Sequence, residues 1–134
     1  MITCPVSVGE LFDKISILQI KLRYFHGEAI ISSITNEMNL LLVQKNNLTC
    51  LHSESLLNDL YNKLVDVNSA IWDNEEDKRS LDRKQSFGKE FIEVNKLSYK
   101  LNDQRAILKK KINEISESEI REFKSHASVN QDLG

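Results

Sequence analysis

Polar side chains interrupt two runs whose spacing is otherwise apolar and helical. The run Leu57, Leu60, Tyr61, Leu64, Val67, Ile71 takes in Asn68 and, one turn on, Glu75. The run Phe91, Val94, Leu101, Leu108, Ile112 takes in Ser98 and Arg105. A polar group buried without a partner costs about 1–3 kcal/mol, and a charge costs more. These side chains must therefore meet each other, water or a ligand.

If the two runs form an antiparallel helical hairpin turning near Gln85, Asn68 faces residues 102–105 and Glu75 faces residues 96–99. That gathers Asn68, Trp72, Glu75 and Arg79 from one helix against Ser98, Tyr99, Asn102, Asp103, Arg105 and Lys109 from the other. Arg105 is expected to contact Asn68, Glu75 or Asp103, because its planar fork can serve several acceptors at once. A first helix adds Glu10, Lys14 and Lys21 on one stripe, with Asp13 beside them.

Two chemistries fit such a cluster. One is a structural polar layer that fixes helix register. The other is a pocket for an anionic small molecule, with Arg105, Lys14, Lys21 and Lys109 holding phosphate or carboxylate and Trp72 or Tyr99 as a flat wall. Catalytic residues are not assigned, and catalysis is left open.

Other sites find no support. Cys4 and Cys50 have no metal or redox spacing, and His26, His52 and His126 are scattered, so no metal set and no cofactor are expected. Both cysteines read as free thiols of a reducing cytoplasm. Glu-x-x-Glu and Glu-x-x-Asp spacings occur, as at Glu10–Asp13 and Glu90–Glu93, but no two pairs oppose each other as magnesium chemistry requires. Chorismate-mutase-like chemistry needs several inward arginines, and only Arg105 qualifies. No P-loop or Gly-rich fingerprint exists.

The 134 residues carry 18 basic and 20 acidic side chains, a formal charge of -2. That balance gives no support to nucleic-acid binding. No apolar run approaches the length of a membrane span. Four glycines and one proline permit few turns and favour long helices.

The elements that position the cluster follow from period and caps. Ser7-Val8-Gly9-Glu10 has capping-box spacing, and Val8, Leu11, Ile15, Leu18, Leu22 and Phe25 make a seam ending near Gly27. A second helix is predicted over 28–44, then a loop over 48–52. A third of about 30 residues starts from Ser53 or Ser55. Ser86 is predicted to cap a fourth, reaching about Ser116. Residues 120–125 are predicted as a short strand beside Met1–Val6. The domain is read as 1–126, with 127–134 a disordered tail.

Several separated motifs carry a family resemblance. They are Pro5-Val6-Ser7, Gly9-Glu10-Leu11, Asp13-Lys14-Ile15, Asn68 with Trp72, Glu76-Asp77, Phe87-Gly88 with Phe91, and Tyr99, Asn102-Asp103, Arg105-Ala106, Lys109 and Ile112. Together they resemble a family of small bacterial and phage proteins of unknown function. The resemblance runs from Pro5 to about Ser125 and implies a helical protein without assigning an activity. The chain departs from the family pattern in its Lys- and Asn-rich middle and its longer tail. Asp77 joins the candidate residues on this resemblance.

The expected protein is an all-α bundle of about four helices, dominated by the long hairpin. A homodimer is expected, since helices of roughly 45 Å overreach the first two and leave apolar surface to cover. The expected function is a non-catalytic binding or interaction module. The alternative is a small enzyme or binding protein for a phosphorylated or carboxylated metabolite at the cluster. Partners are a second copy, another protein or an anionic small molecule, with neither nucleic acid nor membrane.

Overall fold

The computed structural model describes residues 1–48 and 53–124. The expected loop over 48–52, the tail after 126, Cys50, His52 and His126 thus lie wholly or mostly outside the described residues. Among the described residues four α-helices account for the regular structure: α1 Val8–Tyr24, α2 Glu28–Asn46, α3 Glu54–Arg83 and α4 Lys89–Ile115.

Helix α1 is the hub, packing against α2, α3 and α4. The apolar core joins Leu11, Phe12 and Ile15 of α1 to Leu57, Leu60 and Leu64 of α3 and to Leu108 and Ile112 of α4. Each such side chain, fully buried, is worth about 1.5–3 kcal/mol. The expected one-sided seam on α1 understates its burial. Phe12, Asp13, Ser16 and Ile20 are also buried, because a helix wrapped by three others keeps little solvent face. At the far end the reverse holds: Phe25 is exposed.

Helix α2 is peripheral. It packs on α1 and buries none of its side chains fully, though Met38, Leu41 and Leu42 rest on the core. Its one cation, Lys45, lies over the rings of Phe12 and Tyr61, 5.0 and 4.5 Å from their centroids. Burial lowers the Lys45 pKa, with Glu54 opposing.

The caps differ from expectation in instructive ways. Ser7 Oγ does accept from the Glu10 amide at 3.0 Å. The Glu10 carboxylate does not return to Ser7; it turns outward to lysines. Gly27 does not close α1, which ends at Tyr24; with φ 100° it opens α2 instead. Ser86 does not cap α4. Its amide bonds back to Leu81 O at 2.9 Å, and Gln85 amide to Asp82 O at 2.9 Å, around Gln85 at φ 53°. This is a Schellman closure of α3, and it leaves Gly88 to start α4. Ser118, Glu117 and Asn113 repeat the same closure at the end of α4.

There is no strand among the described residues, so the pairing expected between Met1–Val6 and residues 120–125 is not found there. Ser125 lies outside them. Side chains anchor the returning segment instead of a ladder. Ser118 Oγ accepts from Val8 N at 3.1 Å and donates to Ile120 O at 2.8 Å, and Ser7 Oγ donates to Glu122 Oε1 at 3.0 Å.

Helix α1 comes close to α4 at Gly9. A Cβ built there would lie 2.5 Å from the Lys109 carbonyl oxygen and 2.9 Å from Asn113 Oδ1. Alanine would raise helix propensity by about 1 kcal/mol, but forcing two backbones apart costs about 1–3 kcal/mol or more. Gly9→Ala is therefore expected to lower stability on balance, as read by urea unfolding. An unchanged or higher midpoint would show that the crossing is loose.

Candidate functional site

Asp13 lies in the second turn of α1, where α3 and α4 both reach it, and its exposure is 0%. Its Oδ1 accepts from Asn68 Nδ2 of α3 at 2.9 Å and from Arg105 Nε of α4 at 2.9 Å. Arg105 Nη2 closes the fork on Oδ2. The second hydrogen of Asn68 Nδ2 goes to Ser16 Oγ at 2.7 Å, and Ser16 Oγ in turn donates to Asp13 O at 2.7 Å. The hydrogen bond from Arg105 to Asp13 raises the guanidinium pKa; burial opposes it, and the charges of Asp13, Glu10 and Glu122 reinforce it.

A second polar chain runs one turn toward the N-terminus of α1. Gly9 N donates to Asn113 Oδ1 at 2.7 Å. Lys109 Nζ holds Glu10 Oε2 at 2.5 Å and lies 3.6 Å from Glu122 Oε2. Lys14 reaches Glu10 Oε1 at 3.6 Å, an i, i+4 pair along α1. The first amides of α1 are thus taken by Ser118, Asn113 and Ser7, which leaves no open N-terminal cradle for an anion.

The cluster read from the sequence is brought together only in part. Asp13, Asn68 and Arg105 meet, and Glu10, Lys14 and Lys109 adjoin them. Arg105 does not pair with Asn68, Glu75 or Asp103 as expected. The buried carboxylate between α3 and α4 belongs to α1 and is the stronger acceptor. Glu75 pairs with Lys78 at 2.8 Å, and Lys78 also donates to Ser98 Oγ at 3.1 Å. Asn102 turns back to Ser98 O of its own helix at 2.9 Å. Trp72 stacks on Tyr24, centroids 5.0 Å apart and 15° between planes, with Phe25 edge-on to it. Asp77 is exposed.

Two clefts flank Arg105. The larger, about 590 Å³, lies along α4 under the returning segment and is bordered by Glu10, Tyr99, Asp103, Lys109 and Glu122. The smaller, about 240 Å³, opens between α1 and α3 and is bordered by Ile17, Asn68, Ile71, Trp72 and Arg79. Lys21 and Asp77 border neither.

Sequence reasoning missed Ser16, Asn74, Asn113 and Ser118. Asn74 Nδ2 donates to Val94 O at 2.9 Å, tying α3 to α4. Ser16 and Asn113 lie beside the 3–4 seams of their helices, Asn74 continues the α3 seam three residues past Ile71, and Ser118 lies beyond the end of α4. A second buried face on α1 was the signal that would have found Ser16, and the glycine at position 9 was the signal for a close partner such as Asn113.

Chemically, the arrangement holds charges in matched sets. Asp13 is sealed from solvent. Burial would raise the Glu10 pKa, yet Lys109's hydrogen bond and charge, with Lys14, outweigh burial and the like charge of Asp13, so Glu10 stays below its ordinary 4.5. An ionised carboxylate clamped by lysine is a poor proton donor near neutrality. Among the described residues no three His, Cys, Asp or Glu side chains gather into a metal-ligand set. No helix among them is long and apolar enough to cross a membrane.

The chain matches the model of a family of unknown function, DUF6165, over residues 2–131, and it belongs to that family. No curated protein and no solved structure matches it.

A depressed carboxylate pKa adds stability that is fully present above the unfolded value and is lost as pH falls through the folded one. For Glu10 that window lies below about pH 4.5. Wild type is expected to lose stability more steeply than Glu10→Gln as pH falls through this window, in unfolding curves at each pH. Parallel pH profiles would show that the lysine clamp contributes nothing.

Proposed function

We propose that this chain is a non-catalytic helical interaction module that works as a homodimer through α2. The α3–α4 pair, joined by residues 84–88, serves as a long antiparallel hairpin that braces α1. The polar centre is its register lock, and α2 is the surface it presents.

The carrying observation is the state of α2. It packs on α1 with no side chain fully buried, and it leaves Ile30 46%, Leu40 44% and Val43 55% exposed. Around Leu40 and Val43 the exposed outer face holds Ser32, Ser33, Asn36 and Asn39, with Glu37, one turn before Leu40, the one charge among them. Charge depletion with scattered aliphatics is the composition of an interface core. A second copy suits it best, because a two-fold contact sets like against like, and a face whose one charge, Glu37, lies to the side of Val43 meets itself with little repulsion. The exposed thiol Cys4 supports a reducing cytoplasm as its setting.

A second reading, a small-molecule site, is favoured by the two clefts that share Arg105.

Light scattering is expected to report about twice the 15.5 kDa chain mass. Val43→Glu is expected to return a monomer with unchanged helical circular dichroism. Wild type that stays monomeric at high concentration, or a Val43→Glu dimer, would overturn the proposal.

A further inference from the structure

The smaller cleft contains an incomplete polar set at its inner end. Arg105 spends Nε and Nη2 on Asp13. In that side-on fork the two N–H groups of Nη1 point away from the carboxylate by covalent geometry, and they make no bond among the described residues. Asn68, only 5% exposed, spends both Nδ2 hydrogens on Asp13 and Ser16, while its Oδ1 accepts nothing among the described residues. The assignment of that amide is settled by its neighbour, since an ionised carboxylate can only accept.

A cationic donor and an amide acceptor are therefore left on two residues that meet at one carboxylate oxygen, Asp13 Oδ1. Both are fixed in place by the same buried carboxylate, and both border the same cleft. The walls leading outward are apolar: Ile17, Ile71 and Trp72. At the mouth stand Glu76 and Arg79, both exposed and neither in an ion pair among the described residues. Glu75 also borders the cleft but is spent on Lys78 at 2.8 Å, so the charges left at the rim are one of each sign and favour no net charge in a ligand. The volume, about 240 Å³, falls below the roughly 300–1,000 Å³ of drug-sized sites.

From this juxtaposition we infer that the smaller cleft binds a small zwitterion, an α-amino acid with an apolar side chain. Its carboxylate takes the free edge of Arg105, and its ammonium, one carbon away, donates to Asn68 Oδ1. Its side chain lies along Ile17, Ile71 and Trp72. Adjacent donor and acceptor suit groups on neighbouring carbons, where a phosphate would fill Arg105 and leave Asn68 unmet. The inference rests on the small-molecule reading alone, and neither the mass nor the oligomeric state of the protein bears on it.

The test is calorimetric titration of the full chain with L-leucine and L-phenylalanine, and with two leucine analogues. Isoamylamine lacks the carboxylate, and 4-methylpentanoate lacks the ammonium. At least one amino acid is expected to bind, and for leucine each analogue is expected to bind at least tenfold more weakly. Ile71→Trp, a partly exposed position, is expected to fill the cleft and abolish binding while circular dichroism and melting stay as in wild type. Should Ile71→Trp misfold, the smaller replacement Ile71→Phe serves as a second variant, expected to weaken leucine binding at least tenfold, and full binding by it would equally overturn the inference. Absence of binding by both amino acids, equal binding of leucine and its analogues, or full binding by a folded Ile71→Trp would each overturn the inference.

Discussion

A carboxylate with no access to water governs this structure. Asp13 is buried at the meeting of three helices, where an unpaired charge would cost several kcal/mol. Its two oxygens accept from Arg105 twice and from Asn68 once. These bonds set where α3 and α4 lie along α1: a shift of either helix by one turn would strand the charge. Buried pairs of this kind add little net stability over an apolar packing of the same volume, whereas loss of one partner costs about 3–5 kcal/mol. The interaction thus acts chiefly by penalising wrong registers.

The rest of the polar architecture follows from the same docking of α4 on α1. Asp13 can reach Arg105 only if the two helices come close, and Gly9 is where the backbones meet, with Lys109 O in the space a Cβ would need. That approach brings Asn113 to the Gly9 amide and Lys109 to Glu10. Glu122 then follows, held by Ser7 and near Lys109, so the returning segment is pinned over the start of α1. Helix α2 takes no part in this lattice of bonds among the described residues apart from its packing on α1. Its freedom from the polar centre is why it is the surface on which the interaction proposal rests.

Much of the helical frame was legible in the sequence. Ser7 as a cap, the 3–4 spacing of Leu11, Ile15 and Leu18, and the length of α3 come from local rules that tertiary contacts did not override. Asn68 and Arg105 were legible as inward polar residues because they break an apolar period. Their shared partner was not. Asp13 stands next to a seam rather than on it, and a two-helix hairpin offers no way to see a carboxylate arriving from a third helix. Ser86 was misread as a cap because a Schellman closure can form around Gln85, a residue whose type does not announce a left-handed backbone. The expected terminal strand failed for a related reason: Ser118, Arg121 and Glu122 hold that segment by side-chain bonds, and short polar anchors leave no periodic trace.

The most direct measurement of the account is a double-mutant cycle on Asp13→Asn and Arg105→Met, read by equilibrium urea unfolding. If one buried pair sets the register, each single change strands a partner and is costly, and the double variant recovers much of the loss. The coupling energy is then expected to exceed about 2 kcal/mol, at the upper end for interacting residues. Effects that simply add, within about 0.5 kcal/mol, would contradict it and mark Asp13 and Arg105 as independent.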